Sequence, residues 1–199
     1  MSRPAYWNHN LHYQPVILNA VPPGCQTALD VGCGDGLLAA RLAERCAQVT
    51  GIDRDPPMIA AARAQHAGAR VTFVEADFLT HPFPADSFDF VCANTSLHHM
   101  DFTAALTRAA HLLRPGGRLA VIGLAADKSL TDLLASAPGV PVNLLYRAIY
   151  GWGESGAPIL FPDHSWRDVR AAARATLPGV RYRRRLLWRY SLLWRKPRG

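Results

Sequence analysis

Apolar positions in this chain fall into short runs whose period switches back and forth. Ala28–Val31, Val49–Ile52, Val71–Glu75, Phe88–Ala93 and Arg118–Leu124 have the length and composition of strands. Between them, Leu37–Cys46, Met58–His66 and Thr103–Leu113 carry apolar residues at helical spacing, as at Leu38, Leu42 and Cys46. Pro56-Pro57 opens the second of these helices, because proline is tolerated in a first turn. Earlier in the chain, Leu11–Val21 suits a short helix ended by Pro22-Pro23. Later, Ser165-Trp-Arg-Asp168 has capping-box spacing and starts a helix through Thr176. Val180–Leu187 and Tyr190–Lys196 are strand-like runs around Trp188-Arg189. Strands alternating with helices read as an α/β fold.

Residues 126–164 fit that alternation poorly. Thr131–Ala135 reads as a helical turn and Val142–Ile149 as a further helix, set among Pro138-Gly139, Pro141, Gly151-Trp-Gly153, Gly156 and Pro158. A long irregular insertion after a strand's carboxyl end is often a binding lid. Tyr146, Tyr150, Trp152 and Phe161 would then wall an apolar pocket; the alternative is the inside of an ordinary capping subdomain.

Chemistry enters at Thr27-Ala-Leu-Asp-Val-Gly-Cys-Gly-Asp-Gly36, a buried strand running into a turn with Gly32, Gly34 and Gly36 at every second position. Glycine accepts positive φ without steric cost and lets a ligand approach the backbone, beside amides that carry partial positive charge. A dinucleotide fingerprint would space its glycines differently. Here an acidic residue, Asp30, precedes the glycines, and the third glycine comes one position early. Asp53 ends the second strand, 21 residues after Gly32, where a carboxylate accepts hydrogen bonds from ribose hydroxyls. The pattern predicts a nucleoside more than a pyrophosphate. Asp77 follows the third strand at its carboxyl end, and Phe78 beside it would pack on a purine or join the core. Strand four ends in Asn94-Thr-Ser-Leu-His-His-Met-Asp101. His98 and His99 are adjacent and so are expected to point apart, which disfavours a metal site.

Four segments, in order, resemble the class I S-adenosylmethionine-dependent methyltransferases: Leu29–Gly36, Gly51-Ile-Asp-Arg-Asp-Pro-Pro-Met58, Glu75-Ala-Asp-Phe78 and Leu113-Arg-Pro-Gly-Gly-Arg-Leu-Ala120. The resemblance spans nearly the whole chain. It implies a doubly wound, seven-stranded, mostly parallel sheet with an antiparallel C-terminal hairpin, the Rossmann-like methyltransferase fold, in a single domain over 1–199. The N-terminal segment (about 1–23) would be a lid and residues 126–164 a substrate-side insertion. It implies S-adenosyl-L-methionine as cofactor and S-adenosyl-L-homocysteine as product. Gly32 and Gly34 would pass its methionine portion, with Cys33 beside them. Asp53 and Arg54 would lie at the ribose, Asp77 and Phe78 at the adenine. Asp30 would fix the loop or the cofactor's amino group, and Asn94 and Leu97 would line the sulfonium region. Tyr13, with His12, from the aromatic cluster Tyr6, Trp7, His9, His12 and Tyr13, would meet the methionine end or the substrate. The Leu-His-His run resembles small-molecule methyltransferases, including those of quinone biosynthesis, which makes His98 the candidate general base for O-, N- or C-methylation.

Composition narrows the setting. At 199 residues and 49% apolar content, the chain is long enough to bury a substantial core. It has no apolar signal-peptide core at its N-terminus and no membrane-length apolar window. Cys25, Cys33, Cys46 and Cys92 lack metal-type spacing and read as buried thiols of a cytoplasmic protein. The net charge of +7 sits at the end: ten basic residues and no acid follow Asp168, and the chain up to that point is net −3. A basic edge attracts nucleic acid or protects a sheet edge from pairing, and alternating charge on an edge hairpin favours protection. A small-molecule substrate is therefore expected rather than nucleic acid. An RNA-modifying enzyme using that hairpin remains an alternative, although Asn94-Thr-Ser-Leu departs from an Asn-Pro-Pro-Tyr motif. A non-catalytic cofactor-binding regulator is the other.

Overall fold

The computed structural model describes residues 7–66, 68, 70–153 and 162–198. Chain order is α1 (His9–Leu18), β1 (Thr27–Val31), α2 (Leu37–Leu42), β2 (Gln48–Asp53), α3 (Pro56–His66), β3 (Val71–Glu75) and β4 (Phe88–Asn94), followed by a 3₁₀ turn over Leu97–His99. Then come α4 (Phe102–Leu112), β5 (Leu113–Leu124), α5 (Leu130–Ser136), α6 (Gly139–Tyr150), α7 (Trp166–Thr176), β6 (Arg181–Arg185) and β7 (Arg189–Arg195).

The strands form a seven-stranded sheet in the order β3-β2-β1-β4-β5-β7-β6. Its first five strands are mutually parallel; β7 runs antiparallel to both β5 and β6. The two-residue period of a strand sends alternate side chains to opposite faces. Leu29, Val31, Val91, Ala93, Leu119 and Val121 pack on one face with α4 and α7. Ala28, Phe90, Cys92, Ala120 and Ile122 pack on the other with α1, α2 and α3. Strands buried on both faces must be apolar throughout, which is why the sequence showed runs more than alternation. Asp30 is the exception, a carboxylate at 1% exposure in the middle of the second face's pattern.

Several boundaries differ from the sequence reading, each for a local reason. α1 starts earlier, because Asn8 caps it by accepting the Leu11 amide at 2.9 Å, and it stops at Leu18 with Pro15 inside. α2 is only six residues and unwinds into turns at Ala43–Cys46. β5 starts at Leu113, five residues before the expected Arg118: Leu113 pairs with Phe88, and an Arg114–Asp89 ion pair at 2.9 Å holds the chain extended across a register shift. Burial alone would raise Asp89, but bonds from Arg114 and from the Thr27 and Gln26 amides hold its carboxyl below the usual range.

The 126–164 insertion is more regular than expected where described. α5 and α6 leave Leu130, Leu133, Leu134, Leu144, Leu145 and Ile149 more than half exposed. Arg184 of β6 ties α5 down through Asp127 and Asp132, both at 3.1 Å, while stacking on Trp166. The capping box at Ser165 and Asp168 forms as expected. In the hairpin, β6 ends at Arg185, and Leu187 and Trp188 turn the chain with φ near +57°. β6 is an edge of the sheet, and the basic residues expected to guard an edge lie on it.

Gly36 closes the turn between β1 and α2 at φ +81°, and a Cβ there would lie 2.6 Å from Phe73 Cζ and 2.9 Å from Ala62 Cβ. Left-handed backbone and overpacking together make Gly36→Ala destabilising by about 2–4 kcal/mol. Chemical denaturation at equilibrium checks this; an unchanged midpoint would show that β2, β3 and α3 do not close on this turn.

Candidate functional site

Crossovers from β1 and β4 leave in opposite directions along the sheet, so the carboxyl ends of these neighbours part and open a crevice. The crevice is a cleft of about 770 Å³. Its floor is the glycine turn. Gly32 and Cys33 donate their amides to the Ile52 carbonyl at 2.8 and 3.1 Å, which docks the turn against β2. Gly32 has φ +67°, and a Cβ there would stand 2.3 Å from Ser96 Cβ, so this glycine lets the loop after β4 pack against β1. Ser96 completes that contact by donating to the Val31 carbonyl at 2.5 Å. Gly34 serves a different need. Its φ is +54°, nothing would meet its Cβ within 4 Å, and it lines the cleft. A side chain there would occupy the cleft itself.

Asp53 joins the parts of this floor. One carboxylate oxygen accepts the Gly34 amide at 2.9 Å and the other the Asp55 amide at 3.0 Å. Each carboxylate oxygen can accept a second bond, so the group holds the loop and still presents acceptors. Asp30 is less accommodated. Cys92 Sγ donates to its Oδ1 at 3.5 Å, while Oδ2 is buried with no partner. Burial, with Asp53 and Asp35 nearby, pushes Asp30 up to about 7. A buried carboxylate short of a partner is costly in isolation and suits a cationic ligand group.

Asp77, exposed, turns the chain after β3 by accepting the Leu79 amide at 2.7 Å; Phe78 beside it is 4% exposed, packed into the core and at the cleft wall. Across the cleft, Asn94 donates to the Asn10 carbonyl at 3.4 Å and keeps a buried Oδ1 without a partner. His98 and His99 do not point apart. The 3₁₀ turn sets their rings 4.1 Å between centroids, and both line the cleft. Burial and the Arg54 guanidinium lower His99 from its ordinary value. Among the described residues no group of three potential metal ligands forms.

The cleft therefore brings together Asp30, Gly32, Cys33, Gly34, Asp53, Arg54, Asp77, Phe78, Asn94 and His98. It does not include Tyr13 or Leu97. Tyr13 points to the hairpin, its hydroxyl donating to the Leu186 carbonyl at 2.8 Å, and Leu97 is a core side chain at 4% exposure. His12 packs edge-on against Tyr13 and Tyr146, and Tyr146 stacks on Trp7 at 5.1 Å. Among the described residues of the expected aromatic wall, Trp152 reaches the cleft and Tyr146 and Tyr150 do not; Phe161 of that wall, and Tyr6 of the N-terminal cluster, lie outside the described residues. α1 instead contributes Asn10 and Gln14, and β7 contributes Arg189. The one sequence signal for the first two was their spacing of four, a polar stripe on a helix otherwise packed on the sheet. Arg189 was hidden among ten basic residues at the chain's end.

Comparison with known proteins agrees with this geometry. Residues 29–121 match the family model described as a methyltransferase domain. An uncharacterized methyltransferase of Mycobacterium tuberculosis is 40% identical over 193 residues, covering 96% of this chain and 98% of its own. Among solved structures, the [4+2]-cyclase SpnF superposes with a TM-score of 0.68 at 21% identity, over 98% of this chain and 87% of that one. The Burkholderia thailandensis 1,6-didemethyltoxoflavin-N1-methyltransferase, solved with 1,6-didemethyltoxoflavin and S-adenosylhomocysteine bound, gives 0.64 at 19%, over 94% and 78%. These structures share the fold, while the full-length relative carries the assignment. No helix among the described residues is long and apolar enough to cross a membrane. The chain belongs to the class I S-adenosylmethionine-dependent methyltransferases.

Proposed function

We propose that this chain methylates a small organic acceptor, with the cofactor held by the glycine turn, Asp30 and Asp53. The observation that carries this reading is the unsatisfied Asp30 carboxylate, buried in the same cleft as an open Gly34 and the bridging Asp53. The donor set fits the cofactor. Asp30 would face its ammonium, Gly34 leaves room for the methionine chain, Asp53 has acceptors for two ribose hydroxyls, and Phe78 offers a flat apolar surface to the purine, with Cys33, Arg54 and Asp77 around them. S-adenosylmethionine supplies an electrophilic methyl group on a sulfonium. The protein's task is then to hold an acceptor in line with that methyl and to keep water away. Asn94 Oδ1 accepts a hydrogen bond from the acceptor's nucleophilic group, and His98 takes its proton when that group is a hydroxyl or a carbon acid. Residues 7–23, including α1, act as a lid, and residues 126–153 with 162–164 as the acceptor-side cap of one domain.

Calorimetric titration with S-adenosylhomocysteine tests the cofactor reading. The wild type is expected to bind it and not NADH, and Asp53→Ala to weaken it about a hundredfold, the loss of two hydrogen bonds to a charged group. Wild-type binding of NADH alone would return the chain to the dinucleotide enzymes.

Asp30 gives the binding a pH dependence. Below about 7 the carboxyl is protonated and does not pair with an ammonium, so affinity rises with pH toward about 7 and then levels off. Without ligand the effect on stability is opposite in sign. Between the unfolded value and about 7 the native state holds a proton that the unfolded chain lacks, so stability falls as pH rises, by up to about 1.4 kcal/mol per unit. Asp30→Asn is expected to flatten both profiles; parallel profiles for the two proteins would mean that Asp30 is not the titrating group.

For the general base, His98→Gln is expected to lower kcat by about 10²- to 10⁴-fold with S-adenosylhomocysteine affinity unchanged. Loss of affinity with unchanged kcat would instead make His98 a cofactor contact.

A further inference from the structure

Arg189 sits where β7 leaves the hairpin, paired in register with Leu124 at the carboxyl end of β5. It is 8% exposed and still lines the cleft. Its Nη2 donates to Asn10 Oδ1 at 2.8 Å and its Nη1 to the Leu187 carbonyl at 3.3 Å, while Nε is buried without a partner. A guanidinium carries five N–H donors, so most of this fork is unspent. The four ion pairs among the described residues involve Arg114, Arg184 and Lys196, and none reaches Arg189. Its charged neighbours give no compensation: burial drives His9 down to about 4, leaving a neutral imidazole, and the Tyr13 hydroxyl is raised by burial and so also neutral. Burying a charge with no countercharge is strongly unfavourable, and proteins retain it where a ligand supplies the countercharge.

Position assigns that ligand. β1 and β7 are separated in the sheet by β4 and β5, and Arg189 lies four residues beyond the position level with Asp30, so at ordinary strand dimensions their backbones stand about 14 Å apart across the sheet and about 13 Å along it, about 20 Å in all. Both side chains project to the face that α1 covers, and Asn10 of α1 touches both Arg189 and Asn94. The cofactor's ammonium belongs at the Asp30 end. Asn94 and His98 lie between, at the end of β4, and Arg189 lies beyond them. We infer that Arg189 is the seat for a carboxylate on the acceptor, so that the enzyme's substrates are small organic acids. A carboxylate accepts two parallel N–H bonds from a guanidinium fork. It is favoured over a phosphate because a single buried cation balances one negative charge and would leave a dianion half compensated. This inference rests on the methyltransferase reading of the same cleft.

The experiment uses the full chain saturated with S-adenosylhomocysteine and titrated, by ligand-observed NMR, with acetate and benzoate against acetamide and benzamide. The acids are expected to bind saturably and their neutral amides about tenfold more weakly or worse. Arg189→Met should abolish the difference. Asn10→Asp keeps the arginine and places a carboxylate against it, and should likewise reduce acid binding about tenfold or more while the fold persists. Equal binding of acids and amides, or no binding of either, overturns the proposal. So does a parallel loss of S-adenosylhomocysteine affinity in Arg189→Met, which would put the cofactor's own carboxylate on Arg189. Failure of the wild type to bind S-adenosylhomocysteine would strike the underlying methyltransferase reading, and would show before any acid is added.

Discussion

The site depends on how β1 stops. A strand buried on both faces must end in a turn whose amides are satisfied without side chains to spare, and here two neighbours supply acceptors and a third a donor. The Ile52 carbonyl takes the Gly32 and Cys33 amides, Asp53 takes the amide of Gly34, and Ser96 closes on Val31 from the other side. The turn is thereby clamped between β2 and β4, the two strands that flank β1. The same clamp exposes a strip of bare backbone to the cleft and fixes the Asp53 carboxylate at its rim. Scaffold and binding surface are one set of hydrogen bonds.

Around this strip the cleft is polarised. At one end the buried Asp30 has only a thiol for a partner; at the other the buried Arg189 has amide oxygens but no carboxylate. A folded domain gains nothing in stability from isolated buried charges of this kind, since each carries a desolvation cost. Their retention on one sheet face, on either side of Asn94 and His98, makes sense if ligands complete them. α1 is the element that spans both ends. Its polar positions Asn10 and Gln14 face inward, and Gln14 is held in turn by Arg41 of α2.

The glycines show how one motif answers several demands. Gly36 has the backbone of a left-handed turn and the packing of Phe73 against it; Gly32 makes way for Ser96; only Gly34 opens onto free space. Ligand binding accounts for one of the three, and chain closure for the other two. The C-terminal arginines divide in the same manner. Arg184 fastens α5, Arg185 bonds Ser191 within the hairpin, and Arg189 is buried at the cleft, so the basic run is not one feature with one role.

The antiparallel close followed from the family resemblance; by itself the sequence determined the α/β alternation, the turn after β1 and the acidic end of β2, because each rests on local rules. These are the period of apolar positions, the steric freedom of glycine and the capping chemistry of Ser165 and Asp168. It also named ten residues that line the cleft, since a doubly wound sheet collects the carboxyl ends of its strands in one place. Tertiary structure alone decided which side chains turn inward where local patterns are ambiguous. Tyr13 and Leu97 left the site because a helix and a 3₁₀ turn rotate side chains by angles that motif spacing does not fix. Asn10 and Arg189, 179 positions apart, entered it because β7 inserts beside β5 and carries the hairpin under α1. Contacts of that separation are set by strand order and packing.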